Sequence, residues 1–157
     1  MAMPFPAKAI TIKRTEANDP DFPYLVSQLT LEIRQIYGDF QVVYDKYNQI
    51  SHLDTVVIGY VNDAPVGCGC FKKIDSKTAE IKRMFVKPAE RKSGIASGVL
   101  SELEIWAKEE GYKKIITETA VGLAGSITFL KNRGYQGIAN YGPYVKSETS
   151  VCFEKRL

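Results

Sequence analysis

Apolar and polar positions change their period several times along this chain, and each change predicts an element. Ile10 to Arg14 alternates as ITIKR, the pattern of a short strand. Asp19, Pro20, Asp21 and Pro23 mark a helix start. Leu25, Val26, Leu29, Ile33 and Ile36 then recur at helical spacing, and Gly38 is placed to end that helix. From Asp39 to Leu53 the periodicity is weak. Phe40, Tyr44 and Tyr47 lie there among polar residues, close to Tyr37, and the stretch reads as a loop with a short helix over a site or over the core.

Thr55 to Val61 is rich in β-branched and aromatic residues and predicts a strand. Asn62-Asp63-Ala64-Pro65 reads as a turn, and Val66 to Ile74 as the return strand. After a second turn at Asp75 to Lys77, Thr78 to Val86 completes an antiparallel meander. Ile95, Val99, Leu100, Leu103, Trp106 and Ala107 form one helical stripe, ended by Gly111. Lys113 to Thr119 is a buried type of strand. A helix separates it from the strand before, so the two are expected to be parallel within a β-α-β unit. A helix over Ala124 to Arg133, a strand and loop over Tyr135 to Tyr144, and a strand over Thr149 to Lys155 follow. The order β-α-β-β-β-α-β-α-β-β predicts one α/β domain over residues 1–157. Its mixed sheet is antiparallel in the N-terminal half, with a parallel β-α-β core and flanking helices.

Composition narrows the class. With 157 residues, 45% hydrophobic and 25% charged, the chain suits one soluble globular domain. A net charge of +3 is too mild for a dedicated nucleic-acid binder and favours a small anionic ligand only slightly. No stretch approaches the roughly 20 apolar residues of a membrane span, and MAMPFPAKAI lacks the apolar core of a signal peptide. The expected location is therefore cytoplasmic, with no membrane partner; a homodimer is compatible with this composition. Three cysteines imply no disulfide framework. Cys68 and Cys70 would face the same way in a strand and read as small buried hydrophobes. With His52 the single histidine, no metal site is expected.

The stretch VKPAERKSGIASGVL carries the candidate chemistry. It runs from a strand into a helix with Arg91, Lys92, Ser93 and Gly94 at the helix mouth. Cations there oppose the helix dipole unless an anion sits above them. A Walker loop fails, because the order is Arg-Lys-Ser-Gly. A dinucleotide fingerprint fails too, because Gly67 and Gly69 lie inside a strand and lack a third glycine. What remains is Arg91-x-x-Gly94-x-Ala96. Small residues there let the N–H groups from Lys92 to Ser97 converge on phosphate oxygens, and the Ser93 and Ser97 hydroxyls add donors. The plain alternative is an ordinary helix start with Ser93 as N-cap and solvated basic residues.

The stretch EIKRMFVKPAERKSGIASGVLSELEIWAKEEGYKKIITET resembles the GCN5-related N-acetyltransferase (GNAT) superfamily. The family's Q/R-x-x-G-x-G/A loop is matched from Arg91 through Ala96, its Val-x-Pro strand exit by Val86-Lys87-Pro88, and its fourth helix by FLKNRGY, Phe129 to Tyr135. The likeness is strong from Thr55 onward and extends to the N-terminal third in layout. It implies acetyl-CoA as co-substrate, its pyrophosphate held by Lys92, Ser93, Gly94, Ile95, Ala96 and Ser97, beside Arg91. Its pantetheine arm would pair with Met84, Phe85 and Val86, where a bulge parts this strand from the next.

The resemblance also implies roles at the acceptor. An amine must lose its proton before attack, and Glu80 aligns with the family's glutamate base; otherwise Glu80 is a strand glutamate paired with Lys82 or Arg83. The family's helix-four tyrosine, which protonates the departing thiolate, is replaced by Leu130, and its pantetheine-binding asparagine is absent near Leu123. Tyr141 and Tyr144 in NYGPY are the nearest substitutes by layout, unless they only pack the turn around Gly142-Pro143. Arg83 is placed to bind an acceptor carboxylate, or else forms a structural ion pair. The expected function is acetyl transfer to a small-molecule amine in a ternary complex. A protein or peptide acceptor, and an acyl-CoA sensor without turnover, are the alternatives.

Overall fold

A computed structural model describes residues 8–38 and 53–157. Its element order is the predicted one: β1 (Ile10–Thr15), α1 (Asp21–Tyr37), β2 (Val56–Val61), β3 (Ala64–Lys73), β4 (Thr78–Val86), α2 (Ile95–Glu109), β5 (Lys114–Ala120), α3 (Ala124–Asn132), β6 (Gln136–Ile138) and β7 (Ser150–Arg156). The strands form one seven-stranded sheet in the order β1-β2-β3-β4-β5-β7-β6. Among the described residues β4 with β5 is the one parallel pair; every other neighbour is antiparallel. The stretch from Asp39 to His52, read above as a loop with a short helix, lies outside the described residues.

Alternation along the strands sorts the core into two layers. Val56, Ile58, Cys68, Cys70 and Phe85 face α1, which buries Phe22 and Leu25 against them. Val57, Phe71, Ile81, Val86 and Ile115 face Ile95, Val99, Leu100 and Leu103 of α2, with Leu130 of α3 in the same cluster. The α1 stripe is shorter than its periodicity suggests, since Ile36 is 49% exposed and Phe22, outside the stripe, is buried. Gly67 and Gly69 alternate with the buried cysteines and lie under α2. A Cβ on Gly67 would stand 2.7 Å from Ile95 Cγ2, and one on Gly69 2.9 Å from Leu103 Cδ1. These glycines serve close helix–sheet packing. Truncating a core side chain such as Leu103 to alanine costs about 2–5 kcal/mol in comparable interiors.

The first hairpin is tighter than the sequence reading had it. Asn62 and Asp63 alone make the turn, both at positive φ (49° and 68°), and β3 starts at Ala64. Two such residues match the right-handed twist of the flanking strands. Pro65 therefore lies within β3, opposite Tyr60 and next to a register shift, where a missing N–H is tolerated.

Candidate active site

β4 is the spine of the site. It pairs with β5 only from Thr78↔Lys114 to Ile81↔Thr117, although β4 runs on to Val86 and β5 to Ala120. On its other side Cys68 pairs with Phe85 and Cys70 with Lys82, so two steps along β3 match three along β4. The extra residue is a bulge at Arg83, whose φ is 57°. Bulges bend a strand and re-aim its side chains. Ile81, Met84 and Val86 pack toward α2 and Phe85 toward α1, so the bulge leaves both Lys82 and Arg83 on the α1 side. The Arg83 charge accordingly acts on the Cys68 and Cys70 thiols.

Glu80 is 3% exposed, in the centre of the sheet. A carboxylate so buried needs partners. The Tyr141 hydroxyl donates to its Oε2 at 2.5 Å. Lys82 Nζ stands 3.5 Å and Lys72 Nζ 3.6 Å from Oε1. Lys82 Nζ also donates to the Tyr144 hydroxyl at 2.8 Å, and the Glu118 charge acts on Tyr144 in turn. Sequence reasoning placed Glu80 and the two tyrosines here. It missed Lys82 as more than an ion-pair partner, and it missed Glu118. Their signal was the Glu-x-Lys step within an otherwise apolar central strand, and the parallel register that puts Glu118 on the same face.

Burial dominates the protonation of this cluster. It pushes the Tyr141 phenol far up, and the Glu80 carboxylate beside it pushes it further. Burial raises the Tyr144 phenol, with the Glu118 and Glu80 charges adding to the effect. It lowers the Lys82 ammonium despite the opposing pull of Glu80. It raises the Glu118 carboxyl despite Lys82, Ser150 and Tyr144. Both effects favour the protonated phenol, the form that donates to Glu80. Tyr144, expected at the acceptor, is 1% exposed and sits behind Lys82, its ring 5.7 Å from that of Tyr141.

The helix mouth lies beyond the other end of the β4 splay. Gly94, not Ser93, occupies the N-cap of α2, with φ 92° and no side-chain cap. The Ser93 hydroxyl bonds to the Glu90 carbonyl instead. The first N–H groups of a helix have no partner inside it. Nothing lies within 4 Å of where a Cβ on Gly94 would stand. A left-handed glycine, open space and an uncapped first turn fit a phosphate group. Lys92, at φ 64°, precedes them. The Ile95 side chain is core, so only its N–H is available to a ligand. The Arg133 guanidinium bonds to the Ser97 hydroxyl, bringing a cation that the sequence reading did not include. Arg91 points elsewhere: its Nε donates to the Val86 carbonyl at 2.9 Å and its Nη2 holds Glu32 of α1 at 2.7 Å.

Leu130 is a core residue, and Leu123 is the N-cap of α3. Across the open end of the splay, the Tyr37 hydroxyl accepts from the Gly122 N–H at 3.0 Å. Among the described residues no group of His, Cys, Asp or Glu side chains could hold a metal, and no helix is long and apolar enough to cross a membrane.

A profile of the acetyltransferase (GNAT) family matches residues 16–135. The chain belongs to that family. Its reaction class is the acyl-CoA-dependent acylation of an amine. It is 28% identical to the IAA acetyltransferase of Azospirillum brasilense over 152 residues, which cover 91% of this chain and 97% of that one. A Klebsiella pneumoniae structure described as an acyl-CoA N-acyltransferase shares the fold, with a TM-score of 0.79 at 22% identity over 94% of this chain and 97% of that one. A GNAT acetyltransferase from Elizabethkingia anophelis with acetyl-CoA bound shares it at a TM-score of 0.67 and 21% identity, over 94% and 98% of the two chains.

Proposed function

We propose that the protein transfers an acetyl group from acetyl-CoA to the amine of a small molecule. The observation that carries this reading is the stretch of β4 beyond Ile81 that β5 leaves unpaired, which leads from the open Gly94 mouth to the Glu80–Tyr141 pair. The N–H groups from Lys92 to Ser97 hold the pyrophosphate, with charge from Lys92 and Arg133. Met84, Phe85 and Val86 offer backbone to the pantetheine arm. Arg91 braces that strand through the Val86 carbonyl. Bound there, acetyl-CoA supplies the activated acetyl group as a thioester.

The chain's own residues manage protons and position. Glu80 Oε1 or Oε2 takes the proton that the acceptor ammonium must lose, a step worth about 10²–10⁴-fold in comparable enzymes. Tyr141 then has a reason to act as acid. While Glu80 is charged, the phenol is held protonated. Once Glu80 carries a proton, the charge that adds to the effect of burial is gone, and the phenolic proton can go to the departing sulfur as the proton on Glu80 passes back to the phenolic oxygen. Arg83, turned to the acceptor side by the bulge, suits an acceptor bearing a carboxylate. That chemistry favours an amino-acid-like amine over a peptide groove.

Calorimetry with acetyl-CoA and with pantetheine, followed by thiol-release assays on a panel of primary amines, tests the reading. Binding of acetyl-CoA but not pantetheine, turnover with an amine, and loss of turnover in Glu80→Gln with binding retained are the expected results. Binding without turnover on any amine would favour a sensor of acyl-CoA. No binding would remove the assignment.

A further inference from the structure

We propose that Lys82 is a positioning residue that orients the Glu80 carboxylate and sets the charge beside it, and that Tyr144 and Glu118 anchor Lys82. The inference rests on Glu80 being the proton acceptor proposed above. Glu80 and Lys82 are two apart on one face of β4, with Nζ 3.5 Å from Oε1. The Lys82 side chain is 5% exposed, so its ammonium cannot swing into water. Lys72 also approaches Oε1, but its side chain is 31% exposed and free to leave. Of the two cations, only Lys82 is held. It is held by the Tyr144 hydroxyl at 2.8 Å, with the Glu118 charge acting on both.

The chain Tyr141–Glu80–Lys82–Tyr144 thus ties β4 to the β6–β7 loop, with the Glu118 charge of β5 acting on its inner end. Stability alone does not ask for it. A buried ion pair gains little over apolar residues of the same size, whereas removing one partner leaves a stranded charge. The arrangement instead fixes the one oxygen of Glu80 that Tyr141 does not occupy. Among the described residues, the groups near Glu80 include Lys72 and Cys70 of β3, Lys82 of β4, Glu118 of β5, Cys152 of β7, and Tyr141 and Tyr144 of the loop, with Arg83 on the same face of β4. Of the two lysines that approach its carboxylate, Lys82 is the buried one.

Carbon-13 NMR on protein labelled at the glutamate carboxyls tests this without any acceptor. The Glu80 resonance is assigned by its loss in Glu80→Gln and followed against pH in the wild type, Lys82→Met and Tyr144→Phe. The expected result is a midpoint moved upward by about one pH unit or more in Lys82→Met, because an opposite charge at this range has been removed. A smaller move in the same direction is expected in Tyr144→Phe, with acetyl-CoA affinity unchanged in both. Titrations that overlay the wild type would overturn the proposal. If Lys82→Met does not fold, Tyr144→Phe decides it by the same criterion. Turnover by Glu80→Gln, measured alongside, separates the two readings: wild-type turnover there removes Glu80 as base, whereas an unmoved Lys82→Met titration removes only Lys82.

Discussion

The Tyr141 phenol and the Glu80 carboxylate, 61 residues apart in sequence, meet at 2.5 Å on the α1 face of the sheet. A donor that short to a buried carboxylate is a strong, charge-assisted bond. It joins the proposed base and the proposed acid into one unit. Tyr141→Phe should lower turnover by about 10²-fold or more. The deficit should narrow with an acetyl thioester of a more acidic thiol, compared by thiol release against acetyl-CoA. Equal deficits for both donors would leave Tyr141 only the task of holding Glu80.

Gly94 tests the helix mouth. Its φ of 92° makes any side chain there strained, at about 1–2 kcal/mol. The space around it is open, so Gly94→Val should still fold. Its melting temperature should fall by only a few degrees. Acetyl-CoA affinity should drop by at least tenfold in calorimetry, because a branched side chain would fill the place assigned to the pyrophosphate. Unchanged affinity would move the phosphate site elsewhere.

Tyr37 and Gly122 form a matched pair. A Cβ on Gly122 would stand 2.5 Å from the Tyr37 hydroxyl oxygen but 3.5 Å from the ring carbon that bears it. Gly122→Ala should therefore be destabilising alone and close to neutral in a Tyr37→Phe background. A double-mutant cycle by denaturant unfolding reads the coupling. Strict additivity would mean that α1 does not rest on the β5–α3 turn in solution.

The behaviour of α1 with pH follows from Asp19. Burial pushes its carboxyl up, but Lys13, the Asp21 N–H and the Thr15 hydroxyl together hold it below the ordinary value. The folded protein then binds fewer protons there than the unfolded chain, whose aspartates titrate near ~3.9. This share of stability is full above about pH 4 and is lost as pH falls through the lower, folded value. Asp19→Asn should cost about 1 kcal/mol at neutral pH. The difference from wild type should vanish in strong acid, measured by urea unfolding across pH. A constant difference would exclude the ion pair as its source.

The fold was legible because its strands and helices are strongly periodic. The β-α-β unit followed from Val86, the stripe from Ile95 to Ala107, and Lys113 to Thr119 without reference to long-range contacts. The cysteines at 68 and 70 read correctly as buried. The site was legible only in part. A one-residue bulge at Arg83 changes which side chains share a face, and strict alternation cannot foresee it. Arg91 is drawn from the helix mouth by Glu32, 59 residues earlier, and such a partner carries no local signal. Ser93 looks like a cap by residue type, but Gly94 reaches the left-handed conformation that this mouth adopts at less cost.

The short seam between β4 and β5 has a consequence for biosynthesis. The meander from β2 to β4 is built from neighbouring stretches of chain, so it can form before β5 has left the ribosome. Until then β4 is an edge strand, and its backbone groups from Thr78 to Ile81 are open to pairing with another chain. The charged step at Glu80 and Lys82, buried in the finished protein, would at that stage stand on the exposed border. The residues proposed to serve transfer in the mature protein would then guard the nascent one against aggregation.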